Sequence, residues 1–244
     1  MHTREVIYNV AAKHGLRATF APRLFMTSAG NAAHTHISVH SGRVKKGVQL
    51  SSVEKSFLAG VMAHLPSLPA LTLPIPASYK RVSDGVWSGG TYVCWGTENR
   101  EAPVRLTNSA SPSSRRFEMR FVDGTANPHL VLAGILGAGY LGIQSNLELT
   151  ISDCPGPITA AQMSEDERRA LGIFKRLPLS WEEGRKNFVS DIQLSKILGT
   201  EFQEKYLSVN KVKRFFFFPT SVLCKLLFNF LLTNCMFIDS GEGS

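Results

Sequence analysis

Residues 99–130, NREAPVRLTNSASPSSRRFEMRFVDGTANPHL, decide the fold. Arg100, Arg105, Arg115, Arg116 and Arg120 place five guanidinium groups within twenty-one residues. The guanidinium fork is the side chain best shaped to hold a phosphoryl or carboxylate group through two parallel hydrogen bonds. The run from Phe117 to Phe121 alternates apolar with charged residues, which predicts a strand. On that strand Arg116, Glu118 and Arg120 share one face while Phe117, Met119 and Phe121 share the other. The segment therefore reads as a short hairpin with an aromatic core face and a charged working face suited to phosphate. A solvated edge strand whose Arg-Glu-Arg pattern neutralises itself is the competing reading.

Working outward, TSAGNAAHTHISVH (27–40) is a small-residue turn entering a second alternation. As a strand it puts His34, His36 and Ser38 on one face, where two imidazoles can reach a shared metal or nucleotide; two surface histidines are the alternative. Ser51 to Leu65 predicts an amphipathic helix capped by Ser51 or Ser52, with Val53, Phe57, Leu58, Val61 and Leu65 as its buried stripe. Prolines 66, 69, 74 and 76 end it and lay down an irregular connection to SYKR, where Arg81 adds a cation. VSDGVWSGGTYVCWG has the composition of a mobile flap beside a site, or of a structural turn. Asn127 caps an apolar helix that carries Pro128 in its first position. Before all of this, Thr3 to His14 reads as a helix stopped by Gly15, and Leu16 to Pro22 as a strand. Near the other end, SWEEGRKNFVSDIQLSKILG reads as one capped helix, followed by a short one through EFQEKYLSVN.

Composition sets bounds on function. The chain has 244 residues, 43% of them apolar, which suits one large or two modest globular domains. Its net charge of +8 suits anionic ligands, and equally a nucleic acid or an acidic lipid surface. No aromatic-basic stacking pattern supports nucleic acid. Cys94, Cys154, Cys224 and Cys235 lie far apart, which suggests neither a zinc knuckle nor a disulfide scaffold and implies a reducing, cytoplasmic setting. The polar N-terminus lacks the apolar core of a secretory signal. From Arg214 the chain turns to RFFFFPTSVLCKLLFNFLLTNCMFIDSGEGS, in which Pro219, Lys225, Asn229 and Asn234 interrupt what would otherwise suit a membrane anchor. That tail reads as translated non-coding sequence, with a genuine membrane or partner segment as the alternative.

The order and spacing of GNAAHTHIS, SYKR, NREAPVR, RRFEMRF and DGTANPHLVLAGILGAGYLGI resemble the C-terminal half of the glutamine synthetase catalytic domain, in its divergent fungal and bacterial form, over roughly residues 4–212. The resemblance implies an α+β fold: a curved, mostly antiparallel sheet backed by helices over 1–213, with 214–244 outside it. It implies ATP-dependent ligation, in which glutamate is activated as an acyl phosphate and captured by ammonia or another amine, with ATP and Mg2+ or Mn2+ as cofactors. By position, His34 and Glu118 match the second metal ion's ligands, and His36 and Ser38 match nucleotide contacts. Gly30, Arg81 and Arg120 match the amino-acid grip. Arg100 and Arg105 match the groups that steady the transferring phosphoryl. A homo-oligomeric parent protein is implied.

The chain also departs from the pattern. The family's remaining metal-binding glutamates lie upstream of this stretch. The flap reads GVWSGG around Trp87 and Ser88, where ordinary members carry a glutamate. Ser113 and Ala29 stand where the family has a lysine and an asparagine. These departures leave room for a bulkier amine, or for a catalytically inactive regulatory or developmental signalling module.

Overall fold

The alternation at 116–121 does produce a strand. The computed structural model describes residues 2–28, 30–40, 50–86 and 88–217, with the side chains of 212–217 excepted. Four strands, β1 (Thr35–Ile37), β2 (Trp95–Thr97), β3 (Val104–Thr107) and β4 (Arg116–Met119), form one sheet in the order β1-β4-β3-β2. The β1–β4 and β3–β4 pairings are antiparallel, and β2 runs parallel to β3. β3 and β4 are the two arms of the expected hairpin. Phe117, Met119 and Phe121 point into the core as the period of two requires.

Helices α2 (Ser52–His64) and α4 (Pro128–Gln144) back the sheet. Ser51 caps α2 in a reciprocal capping box with Glu54, and Asn127 caps α4 with Pro128 at its first position. The two helices touch backbone to backbone. A Cβ on Gly142 would lie 2.1 Å from the Ser56 carbonyl oxygen, and one on Gly60 would lie 2.3 Å from that of Ala138. Beside this crossing, the Phe57 ring occupies the notch left by Gly139 and stacks on Phe117 at 6.1 Å between centroids. The helical layer thus bears directly on β4.

The prolines of the connection do more than break structure. Pro69 opens α3 (Pro69–Thr72) and Pro76 opens a 3-10 helix (Pro76–Lys80), each at a first-turn position where its missing N–H costs nothing. Arg81 follows directly and is thereby set beside the sheet.

Three sequence expectations need correction. Leu16–Pro22 is no strand. Thr19 Oγ1 accepts the Ala21 amide, and Asn31 bonds back to Ala21 and Pro22, so the segment's polar groups are satisfied as an irregular strap. The segment expected as one helix from 180 divides into α6 (Trp181–Ser190) and α7 (Ile192–Leu198) at Asp191, whose carboxylate accepts the Leu194 amide and also bonds His64 Nδ1 at 2.8 Å. A residue that caps a helix takes non-helical backbone angles, and this is what breaks the run. The closing helix α8 (Thr200–Phe217) is long, not short. Between α4 and α6 lies α5 (Glu165–Ala170), and α1 (His2–Lys13) opens the chain. No residue of α1 is buried; Arg4 holds it to the Ala126 carbonyl. Among the described residues no helix is long and apolar enough to cross a membrane. Residues 218–244, which hold most of the apolar tail, lie outside the described residues.

Candidate active site

Strand register builds the site. His36 stands opposite Glu118 across β1–β4, and Glu118 stands opposite Arg105 across β3–β4. One row of the sheet therefore reads imidazole, carboxylate, guanidinium. Two positions along the same face come His34 and Arg120, placed there by the period of two.

Glu118 is the hub. Its Oε1 accepts a hydrogen bond from Arg120 Nη1 at 2.7 Å and lies 2.9 Å from His34 Nδ1. Its Oε2 lies 2.6 Å from Arg105 Nε, as an ion pair without hydrogen-bond alignment. His36 Nε2 is more distant, 4.0 Å from Oε1. Arg81 closes the group from the side: its Nη2 donates to the Arg120 carbonyl at 3.2 Å and lies 3.5 Å from His34 Nε2. Gly30 packs on the Arg81 stem, where a Cβ would come within 2.7 Å of Cγ. Arg120 Nε donates to the Arg100 carbonyl, and the charge of exposed Arg100 reaches the Arg120 guanidinium. Ser38 lies just past β1 and is exposed. His34, Arg105 and Arg120 thus meet on one carboxylate with His36 just beyond; Arg81 joins through His34 and the Arg120 carbonyl, Gly30 through Arg81, and Ser38 and the exposed Arg100 side chain lie at the margin.

The arginine stretch does not act as a unit. Arg115 turns the other way and is buried against Glu54 of α2, with Nε 2.9 Å from Oε1. It ties the hairpin to the helical layer and is not part of the charged face. Ser113 is exposed in the β3–β4 turn, while Ala29 and Trp87 lie outside the described residues. The segment read as either a mobile flap or a structural turn is braced at several points. Ser88 Oγ donates to the Ser83 carbonyl, Glu101 accepts the Gly85 amide, and Asp84 accepts from Thr91, which also receives Arg176. The sequence reading missed Asp84, Glu101 and Arg176; an Asp-Gly pair at 84–85 was the available signal of a turn fixed by its own carboxylate.

The electrostatics follow from this packing. Burial pushes the Glu118 carboxyl up, but the His34 hydrogen bond and the Arg120 and Arg105 charges outweigh it and hold the group at about 2, against an ordinary 4.5. Burial lowers Arg120 and Arg81, although Glu118 and Asp123 respectively oppose the effect. A carboxylate whose folded value is depressed contributes stability that is present above its unfolded value and lost as pH falls through the folded one. Unfolding free energy should therefore decline between pH 4.5 and about 2, and Glu118→Gln should remove that part of the decline. Urea melts of both proteins across this window provide the check, and superimposable acid limbs would contradict it.

His34 Nδ1 and Glu118 Oε1 are of the donor types divalent cations take, and here they bond each other while both Glu118 oxygens also face arginines. Among the described residues no group of three His, Cys, Asp or Glu side chains is arranged to hold a metal. The remaining donors would have to come from elsewhere. Two cavities, of about 290 and about 460 Å3, are lined by none of these side chains.

This sheet, its helical backing and its charged face define a class of protein. The family model for the glutamine synthetase catalytic domain matches residues 1–217, and the chain belongs to the glutamine synthetase family. Among individual proteins it is similar to protein fluG of Emericella nidulans, with 43% identity over 211 residues, 86% of this chain and 22% of fluG. It is 36% identical over 218 residues to the gamma-glutamylpolyamine synthetase GlnA3 of Streptomyces coelicolor, covering 84% of this chain and 45% of GlnA3. A crystal structure of a novel glutamine synthase homolog superposes with a TM-score of 0.71 at 29% identity, over 90% of this chain and 50% of the other. The chain spans half or less of the length of these proteins.

Proposed function

We propose that the chain forms the carboxyl-terminal part of an ATP-dependent carboxylate–amine ligase that activates glutamate as an acyl phosphate and joins it to ammonia or a larger amine. The supporting observation is the convergence of His34, Arg105 and Arg120 on the one carboxylate of Glu118, with Arg81 alongside. In this reading Arg81 and Arg120 grip the amino-acid substrate, with Gly30 giving the Arg81 stem room. Arg100 and Arg105 face the phosphoryl in flight. Charge spread over its oxygens is best met by positioned cations, and one such arginine is worth several powers of ten in rate. Glu118 fixes the spacing of Arg105 and Arg120, so that neither has to reorganise during the reaction.

ATP would supply the phosphoryl group, and Mg2+ or Mn2+ would neutralise its oxygens, with His34 and Glu118 among the ligands and His36 and Ser38 toward the nucleotide. The active unit would be a homo-oligomer of the full-length parent protein in the cytoplasm, to which residues 1–213 contribute their part of the catalytic domain. The amine is the open choice. Ser88 is spent on hydrogen bonds within its own loop, and the loop's carboxylate, Asp84, is already taken up by Thr91 and Arg176. Likeness to a gamma-glutamylpolyamine synthetase agrees with an amine larger than ammonia.

The same loop supports a second reading, a catalytically silent regulatory or developmental module that keeps the fold. ADP release from the complete protein, with glutamate and a panel from ammonia to polyamines, separates the two. Release that depends on one amine and falls at least a hundredfold in Arg100→Ala is expected for the ligase. No release with any amine would leave the silent module.

A further inference from the structure

Seven buried side-chain nitrogen or oxygen atoms among the described residues lack a hydrogen-bond partner in the protein. Two of them, Arg105 Nε and Glu118 Oε2, face each other in the charged site. The other five are Thr72 Oγ1, Ser78 Oγ, Tyr79 OH, Arg81 Nη1 and Asp123 Oδ2. Asp123 links them. It is wholly buried, its amide donates to the Thr72 carbonyl at 3.2 Å, and its charge acts on both Tyr79 and Arg81. Thr125 pins Oδ1 through its amide at 2.8 Å and its hydroxyl at 2.6 Å. Asp123 and Arg81 are charge neighbours without a direct ion pair, and a buried carboxylate oxygen left unbonded is too costly to persist. Internal water, which makes about three hydrogen bonds to such groups, can serve a buried carboxylate oxygen and a guanidinium nitrogen that the protein leaves unbonded.

We propose that Asp123 is a positioning residue for Arg81, acting through ordered internal water between Oδ2 and Nη1. The guanidinium is then held from behind by Asp123 and at its side by the Arg120 carbonyl, which aims it past His34. The use of that aim, gripping a substrate carboxylate, rests on the ligase reading, whereas the positioning itself does not.

The test is the Arg81 Nε–Hε signal in arginine-selective nitrogen-15 spectra of the full chain, assigned by its loss in Arg81→Lys. In the wild type the proton should exchange at least tenfold more slowly than that of exposed Arg169. In Asp123→Asn this protection should vanish, and glutamate binding should weaken at least tenfold. A helix-packing variant, Gly142→Ala, is destabilised at a distance and should keep the protection, which separates positioning from general loss of stability. Wild-type exchange as fast as that of Arg169 would overturn the proposal even if Asp123→Asn failed to fold, and so would unchanged protection in that variant. Lost protection with unchanged glutamate binding would uphold the positioning and count against the ligase reading alone.

Discussion

Glu118→Ala should cost about 3–5 kcal/mol of folding stability, the range for stripping one partner from a buried charge cluster. Most of that cost is what remains behind. Arg120 is buried and cannot turn to water, and Arg105 lies on the adjacent strand with the same charge. His34 also loses its nearest acceptor. Domains of this kind are stable by about 5–15 kcal/mol, so the variant should sit near the edge of folding. Glu118→Gln should cost less, because an amide oxygen can still accept from Arg120 Nη1. Raising the salt to 1 M should recover part of the loss in both variants, since screening weakens repulsion between the two guanidiniums. Urea denaturation at pH 7 measures all three effects. An alanine variant as stable as the wild type would mean that the carboxylate is not the hub of the face.

Gly142→Ala is expected to cost about 3 kcal/mol, the upper end for overpacking and against the direction of helix propensity. Alanine in a helix interior is ordinarily favoured over glycine by about 1 kcal/mol. Here the added carbon would meet the Ser56 carbonyl oxygen at 2.1 Å and the Gly60 backbone at 2.7 Å. Backbone cannot step aside as a flexible side chain can, so α2 and α4 must separate along their length. The contrast is Gly137→Ala, five residues back on α4, whose nearest neighbour is the Ile197 methyl at 3.3 Å. That change should be close to neutral. Thermal melts of the two variants decide the matter, and equal midpoints would remove the close approach as a source of stability.

Much of this was legible in the chain because the signals were local and periodic. The alternation at 116–121 fixed both which side chains are core and which converge, since β1, β4 and β3 share one pleat. Ser51, Asn127 and Pro128 announced helix starts whose capping bonds the structure shows. What stayed hidden depends on partners far along the chain. Arg115 reads like its neighbours until Glu54, 61 positions away, draws it inward. Asp191 looks like a mid-helix acid until His64 appears across the fold. Leu16–Pro22 has strand-forming residues but joins no sheet among the described residues, and local bonds to Thr19 and Asn31 hold it instead. Asp123 gave no sign, because a lone acid in a loop carries no period.

One consequence follows from the contact of Gly139, Phe57 and Phe117. The two rings act as a spacer of fixed thickness between the rear helix and β4, seated at the back on the one residue with no side chain. A methyl group added at 139 would drive that spacer forward and tilt the strand carrying Glu118, altering its distances to Arg105 and His34 without changing any charged residue. The calibration of the charged face is thus set from the opposite side of the molecule.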